Sequence, residues 1–147
     1  MTGILCSKGV LLQLTFSPEE TERLGFELGA SISKPVVVAL TGDLGVGKTV
    51  FARGIAKGLG VDGRISSPSF VIMKNYKGRL PVYHIDLYRV FSLEDVPFIE
   101  DIMNSDGVVI IEWAERILDV LPEKRIDVRI EIAGDNRRRV WINDNRD

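Results

Sequence analysis

Apolar and polar residues change rhythm several times along the chain, and each rhythm predicts a different element. Val10 to Phe16, "VLLQLTF", is a short run rich in apolar residues that predicts an edge strand. "SPEETERLGFELGASI" follows with helical spacing, because Leu24, Leu28 and Ile32 fall four apart and make one buried stripe. Its start is marked by Ser17 as cap, Pro18 at the first helical position and Glu20 closing a capping box. Val36 to Leu40, "VVVAL", is apolar on both faces and β-branched, the pattern of a central strand covered on two sides. Phe51, Ile55 and Leu59 then repeat every fourth residue with small Ala52, Gly54, Ala56 and Gly58 between them. That spacing predicts a helix packed closely on a sheet.

Further along, "FVIMKNY" and "LPVYHID" predict a strand pair turning at Lys77-Gly78. "GVVIIEW", Gly107 to Trp113, predicts a second fully buried strand, and "AERILDVL" after it a helix. The tail "RIDVRIEIAGDNRRRVWI" alternates on either side of Gly134-Asp135-Asn136, which predicts a closing hairpin. No internal repeat, low-complexity tract or linker-like segment interrupts the chain. The order is that of a three-layer α/β domain, a class in which ligands sit at the carboxyl ends of the strands.

One loop carries most of the candidate chemistry. "GDLGVGKT" matches G-x-x-x-x-G-K-[ST], with Gly42, Gly47, Lys48 and Thr49 in the fixed places and Asp43, Leu44, Gly45 and Val46 between. Gly42, Gly45 and Gly47 let the backbone turn tightly so that successive N–H groups face an anion. The helix beginning near Lys48 adds its positive end to the same spot. Lys48 is placed to reach terminal phosphates, and the Thr49 hydroxyl to ligate Mg²⁺. The loop follows "VVVAL" and precedes a helix, the context that a nucleoside-triphosphate loop needs. No N-K-x-D guanine-reading motif is present, which favours ATP over GTP.

Mg²⁺ and water at such a loop are held by carboxylates just past neighbouring strands. Glu112 ends "VVIIE" like a Walker B strand, with Glu where Asp is usual, and Asp86 ends "LPVYHID". One would serve metal and the other a water or a switch. His84 lies two residues before Asp86 and shares its face in a regular strand; a hydrogen-bonded structural role is the simpler reading for a lone His. Trp113 reads as packing, and Arg137, Arg138 and Arg139 as a solvated hairpin edge, with contact to a partner or RNA as the alternative.

Composition narrows the class. The chain has 147 residues, 45% hydrophobic and 27% charged, enough for one domain burying roughly 70% of its unfolded surface. Nineteen basic and twenty-one acidic side chains give a net charge of -2, without the positive field of a protein that grips nucleic acid unaided. Cys6 is the single cysteine, so no internal disulfide forms, which fits a reducing cytoplasm. The N-terminus lacks a clear cleavage site, and apolar runs of about five residues fall far short of the ~20 that cross a bilayer. A cytoplasmic protein with no membrane contact is expected.

Together, "GDLGVGKTVFARG", "SSPSFVI", "HIDLYR" and "IIEWAER" resemble the TsaE (YjeE) family, small P-loop ATPases of bacterial tRNA threonylcarbamoyladenosine biosynthesis. The resemblance runs from "SPEETERLG" to the closing hairpin. It implies a P-loop NTPase-like domain over residues 1–147, with a central mixed, mainly parallel sheet and a C-terminal β-hairpin. It implies ATP and Mg²⁺ as cofactors and action with a TsaB–TsaD heterodimer, with tRNA engaged only indirectly; no arginine finger is evident in cis, so hydrolysis is expected to be slow alone and stimulated by the partner. That pair modifies the adenosine next to the anticodon, and the small ATPase permits its turnover. Carried over by position, Lys48 holds phosphate, Thr49 and Glu112 serve Mg²⁺, and Asp86 is the essential acid, counted among both metal and catalytic groups. Ser66 to Phe70 matches a switch-like segment, so Ser67, Pro68, Ser69 and Phe70 join His84, Tyr88, Arg89 and Trp113 as switch or partner residues. Ser17, Pro18 and Thr21 belong to a helix start that closes over the nucleotide. Ser69 stands where the family usually has Thr, and Val46 and Val50 where it has Ala and Thr, the latter losing a hydroxyl beside Thr49. Glu100 stands where a glycine is frequent, and nothing in the sequence explains it. Two other readings are a nucleotide-gated assembly module, in which binding rather than hydrolysis acts, and a small-molecule kinase, which the absence of an Arg-rich lid disfavours.

Overall fold

The computed structural model describes residues 4–5, 9–43, 45–68 and 70–146. Their strands are β1 (Ile4–Leu5), β2 (Val10–Thr15), β3 (Val36–Thr41), β4 (Met73–Lys77), β5 (Pro81–Asp86), β6 (Val108–Glu112), β7 (Ile126–Ile132) and β8 (Arg138–Asp144). The helices are α1 (Pro18–Ala30), α2 (Lys48–Gly58) and the short α3 (Ile99–Met103). The strands form one sheet in the order β1-β2-β8-β7-β3-β6-β5-β4. Its centre, β7-β3-β6-β5, is parallel. Antiparallel partners extend it on both sides, β4 beside β5 and the β7–β8 hairpin continued by β2 and β1. This is the mixed α/β sheet with a closing hairpin that the sequence predicts.

The centre is where the chain is most apolar. In β3 Val37 to Leu40 are buried, and β6 is buried throughout. A core on one face joins Leu24, Leu28, Phe51, Ile55 and Leu59 to Val38, Leu40, Ile110, Val128 and Ile130. A second core on the other face joins Val37, Ala39, Ile85, Val109 and Ile111 to Leu87, Val96, Ile99 and Ile117. Helices α1 and α2 cover the first face, and α3 with short 3₁₀ turns covers the second.

Residues 114–120, predicted as a helix, are instead two 3₁₀ turns broken at Ile117 (φ −132°, ψ 32°). Ile117 drops into the second core, and that burial outweighs a continuous helical pattern. The strand predicted from Phe70 begins only at Met73. Phe70 and Val71 belong to a turn in which the N–H groups of Val71 and Ile72 both donate to the Pro68 carbonyl, at 3.0 and 2.7 Å. β2 is not outermost, since β1 pairs along its free side.

The α1 cap is as expected: the Glu20 N–H donates to Ser17 Oγ at 3.1 Å. Glu20 Oε1 reaches one residue further back than a standard capping box and accepts from the Phe16 N–H at 3.1 Å. Ala52 and Ala56 of α2 lie in the first core as expected, but its two glycines have a different role. Gly54 and Gly58 face α1 rather than the sheet, because a Cβ on them would lie 2.0 Å from the Glu22 carbonyl oxygen and 2.2 Å from that of Phe26. Gly25 and Gly29 of α1 answer them, with a Cβ falling 2.3 Å from Phe51 O and 2.2 Å from Ile55 O. Four glycines at i, i+4 spacing thus let two helix backbones touch, and contacts that advance together along both chains make the helices parallel. Arg79, in the β4–β5 turn, donates to the carbonyls of Gly58, Gly29 and Ile32 at 3.0, 3.2 and 2.9 Å. One guanidinium therefore caps the carboxyl ends of both helices.

Candidate functional site

The carboxyl ends of β5 and β6 and the amino end of α2 meet at one groove. β3 delivers the glycine loop. Gly42, Gly45 and Gly47 all take positive φ, 141°, 79° and 110°, values open to glycine and costly to other residues. A Cβ at Gly45 would meet nothing within 4 Å, whereas one at Gly42 would lie 2.5 Å from the Ile130 carbonyl oxygen. The loop is thus tight at its base and open at its tip. Val46 is buried within it. Leu44 and Ser69 lie outside the described residues.

Lys48 is 5% exposed. Its Nζ donates to the Gly42 carbonyl and, at 3.2 Å, to that of Asp43, and sits 3.7 Å from the Trp113 ring centroid. Burial holds its ammonium below the usual lysine range, against the opposing pull of Glu115, Glu112, Asp86 and Asp43. A cation held by neutral carbonyls at the edge of an open groove can trade them for an anion.

Next to it, α2 and the sheet build a chain of three side chains. Thr49 Oγ1 donates to Glu112 Oε1 at 2.8 Å. Glu112 Oε2 lies 2.6 Å from His84 Nε2, and both residues are almost wholly buried. Asp86 lies directly across from Glu112 in the β5–β6 register, 5% exposed, with Oδ1 accepting from the Tyr88 N–H at 2.9 Å. One groove is lined by Thr49, Asp86 and Glu112 together with Phe70, Tyr88, Arg89 and Trp113. Hard oxygen donors beside a glycine loop suit Mg²⁺ rather than a soft metal. Among the described residues no group of three or more His, Cys, Asp or Glu is placed to hold a metal unaided. A metal held at this place would need oxygens beyond these side chains.

The remaining sequence candidates frame this groove. Tyr88 and Trp113 stack with centroids 5.2 Å apart, and Arg89 lies 4.6 Å from the ring centroid of Phe70, which is 84% exposed. Arg116 bridges Trp113 and the exposed Phe91 at 5.4 and 4.9 Å. Two backbone outliers flank the groove, Ile72 at φ 69° and Trp113 at φ 61°, conformations that cost a non-glycine residue about 1–3 kcal/mol each. The Ile72 carbonyl accepts from the Asp86 N–H at 2.8 Å, so the turn holding Pro68 and Phe70 is tied to the acidic strand end. Ser67 lies on the approach to that turn.

Pro18 and Thr21 line a second cleft with Gly45, Val46, Gly47, Val50, Asn136 and Arg138. Ser17 caps the helix that carries them, and the Thr21 hydroxyl is 2.7 Å from that of Thr15. Arg138 corrects the reading of the arginine run as a solvated edge. Its Nε donates to the Val46 carbonyl at 2.9 Å, and Nη1 to Asp135 O and Arg137 O at 3.1 and 2.9 Å. The signal was the strand period: Arg138 shares the inward side of β8 with buried Val140 and Ile142, while Arg139 is exposed.

Residues 15–140 match the family model "Threonylcarbamoyl adenosine biosynthesis protein TsaE". The Bacillus subtilis protein named tRNA threonylcarbamoyladenosine biosynthesis protein TsaE is 41% identical over 128 residues, covering 86% of this chain and 80% of its own. The Treponema pallidum protein of the same name is 38% identical over 128 residues, covering 86% and 95%. The crystal structure of Bacillus subtilis YdiB superposes with a TM-score of 0.75 at 37% identity, covering 92% of this chain and 86% of that one. By family model, sequence and fold alike, the chain belongs to the TsaE family of tRNA threonylcarbamoyladenosine biosynthesis.

Proposed function

We propose that this chain is an Mg²⁺-dependent ATPase that permits turnover of a TsaB–TsaD complex modifying the adenosine next to the anticodon. The observation that carries the reading is the packing of Lys48, Thr49 and Glu112 around one groove at the mouth of the glycine loop. Loop and helix amides take up phosphate charge, and Lys48 exchanges the Gly42 and Asp43 carbonyls for phosphate oxygens. Thr49 and Glu112, with Asp86 alongside, would hold Mg²⁺, which neutralises charge developing on the phosphates. The Tyr88–Trp113 pair forms one wall of the groove. Arg138 steadies the loop from behind through Val46.

The test is ATP hydrolysis with Mg²⁺ by the purified chain, alone and with TsaB–TsaD. Slow turnover alone, strong stimulation by the pair and loss of signal in Lys48→Ala support the reading. A sizeable rate without partners, or a rate that the pair leaves unchanged, refutes it. One observation favours the gate alternative: both Glu112 oxygens already hold one partner each, Thr49 and His84, so a carboxylate that also serves Mg²⁺ has little acceptor capacity left for orienting a water. Glu112→Ala discriminates, provided ATP binding persists. Retained tRNA modification means a gate, and lost modification a hydrolytic cycle.

A further inference from the structure

His84 occupies a place where a sheet interior ordinarily holds an aliphatic residue. It is 1% exposed, pairs in register with Ile110 and follows Val82 on the same side of β5. What distinguishes it is the 2.6 Å contact with Glu112, itself 2% exposed. A buried carboxylate is costly unless its oxygens are satisfied, and this one is satisfied at both ends by different groups, Thr49 on Oε1 and His84 on Oε2. Resting on the nucleotide reading above, we propose that His84 is a positioning residue that fixes the rotation of the Glu112 carboxylate. With Oε2 tied to the imidazole, Oε1 is held toward α2. The Thr49 hydroxyl then donates its hydrogen bond to Oε1, which would leave its oxygen lone pairs facing a bound Mg²⁺. The ring touches neither phosphate nor metal and acts only through Glu112. This is the outer-shell arrangement by which a ligand's partner sets its orientation, and loss of such a partner costs about 10–100-fold in metal affinity.

The experiment titrates a fluorescent ATP analogue, without metal and at rising Mg²⁺, into the full-length chain and His84→Leu, His84→Gln and His84→Asn. Gln carries an amide nitrogen near the place of Nε2, whereas the shorter Asn does not reach it. We expect metal-free affinity to stay at the wild-type value in all variants. The Mg²⁺ concentration that half-tightens binding rises about 10–100-fold in His84→Leu and His84→Asn, and His84→Gln restores most of it. On a Glu112→Gln background His84→Leu adds little, because its route is already cut. Wild-type Mg²⁺ dependence in His84→Leu, or equal behaviour of the Gln and Asn variants, makes His84 a packing residue and overturns the proposal. If His84→Leu does not fold, the Gln–Asn comparison decides. Absence of nucleotide binding by the wild-type chain overturns instead the reading on which the proposal rests.

Discussion

Gly58→Ala sets two magnitudes against each other. In a solvent-facing helix the change would stabilise by about 1 kcal/mol, since alanine is the better helix former. At this position the added Cβ lies 2.2 Å from the Phe26 carbonyl oxygen and 2.8 Å from the Ala30 amide nitrogen. Backbone cannot rotate aside as a long side chain does. To bring the shorter contact to about 3 Å, the helices must separate locally by roughly 0.8 Å, a gap that forfeits a quarter to a half of the dispersion well for the atoms along it. Overpacking of this kind costs about 1–3 kcal/mol, and a rigid obstacle puts it at the upper end. The net expectation is about 2 kcal/mol of destabilisation, or a fall in Tm of about 4–8 °C for a chain of this size. Urea unfolding followed by far-ultraviolet circular dichroism reads the effect as a lower midpoint at unchanged slope. Lys57→Ala is the control next door: its 2.8 Å pair with Glu22 is solvent-facing, and its loss costs at most about 1 kcal/mol. If Gly58→Ala is as stable as the wild type or more so, the backbone-contact argument is wrong.

Arg79→Ala removes three charge-assisted bonds to helix-terminal carbonyls and is expected to lower stability by about 2–4 kcal/mol, with Arg79→Lys recovering only part; equal urea midpoints would contradict this. Arg138→Ala removes the guanidinium that donates to the Val46 carbonyl and is expected to weaken ATP binding about 5–10-fold by titration, the loss of about one hydrogen bond's worth of loop order; unchanged affinity would exclude a hold on the loop. Burial alone would raise the Asp144 carboxyl, but bonds from Arg146 outweigh it and hold the group below its ordinary 3.8. A depressed carboxylate adds stability above its unfolded value that disappears as pH falls through the folded one, so Asp144→Asn should flatten the acid limb of stability below about pH 4, a small effect to be read from urea midpoints between pH 2 and 6.

Much of the site was legible because it is local in sequence. The glycine loop, the capped start of α1 and the polar ends of β5 and β6 each announce themselves within about ten residues. Strand order brings Thr49, Glu112 and Asp86 together without further information. What escaped the sequence depends on partners far along the chain. Gly54 and Gly58 look like any small residues on a helix until α1 is seen to supply Gly25 and Gly29 against them. Arg79 reads as a turn residue until the ends of two helices arrive beside it. Arg138 was lost in a run of like residues, although strand alternation separates it from its neighbours. The 114–120 segment misled for a different reason: its apolar spacing suits a helix, but burying Ile117 in the second core breaks the turn. His84 kept its simple reading as a hydrogen-bonded residue, and the identity of its partner is what gave it more to do.

The glycine seam also has an electrostatic consequence. Two helices in backbone contact and running the same way set their macrodipoles side by side, with both amino ends beside the loop. Each end carries about half a positive charge, and like charges so close repel. The first turn of α1 answers this with Glu19 and Glu20 and a serine cap, whereas the first turn of α2 has neither an acidic residue nor a side-chain cap. The field of α1 is quenched by its own sequence, and that of α2 is left for an anion that the protein does not itself supply.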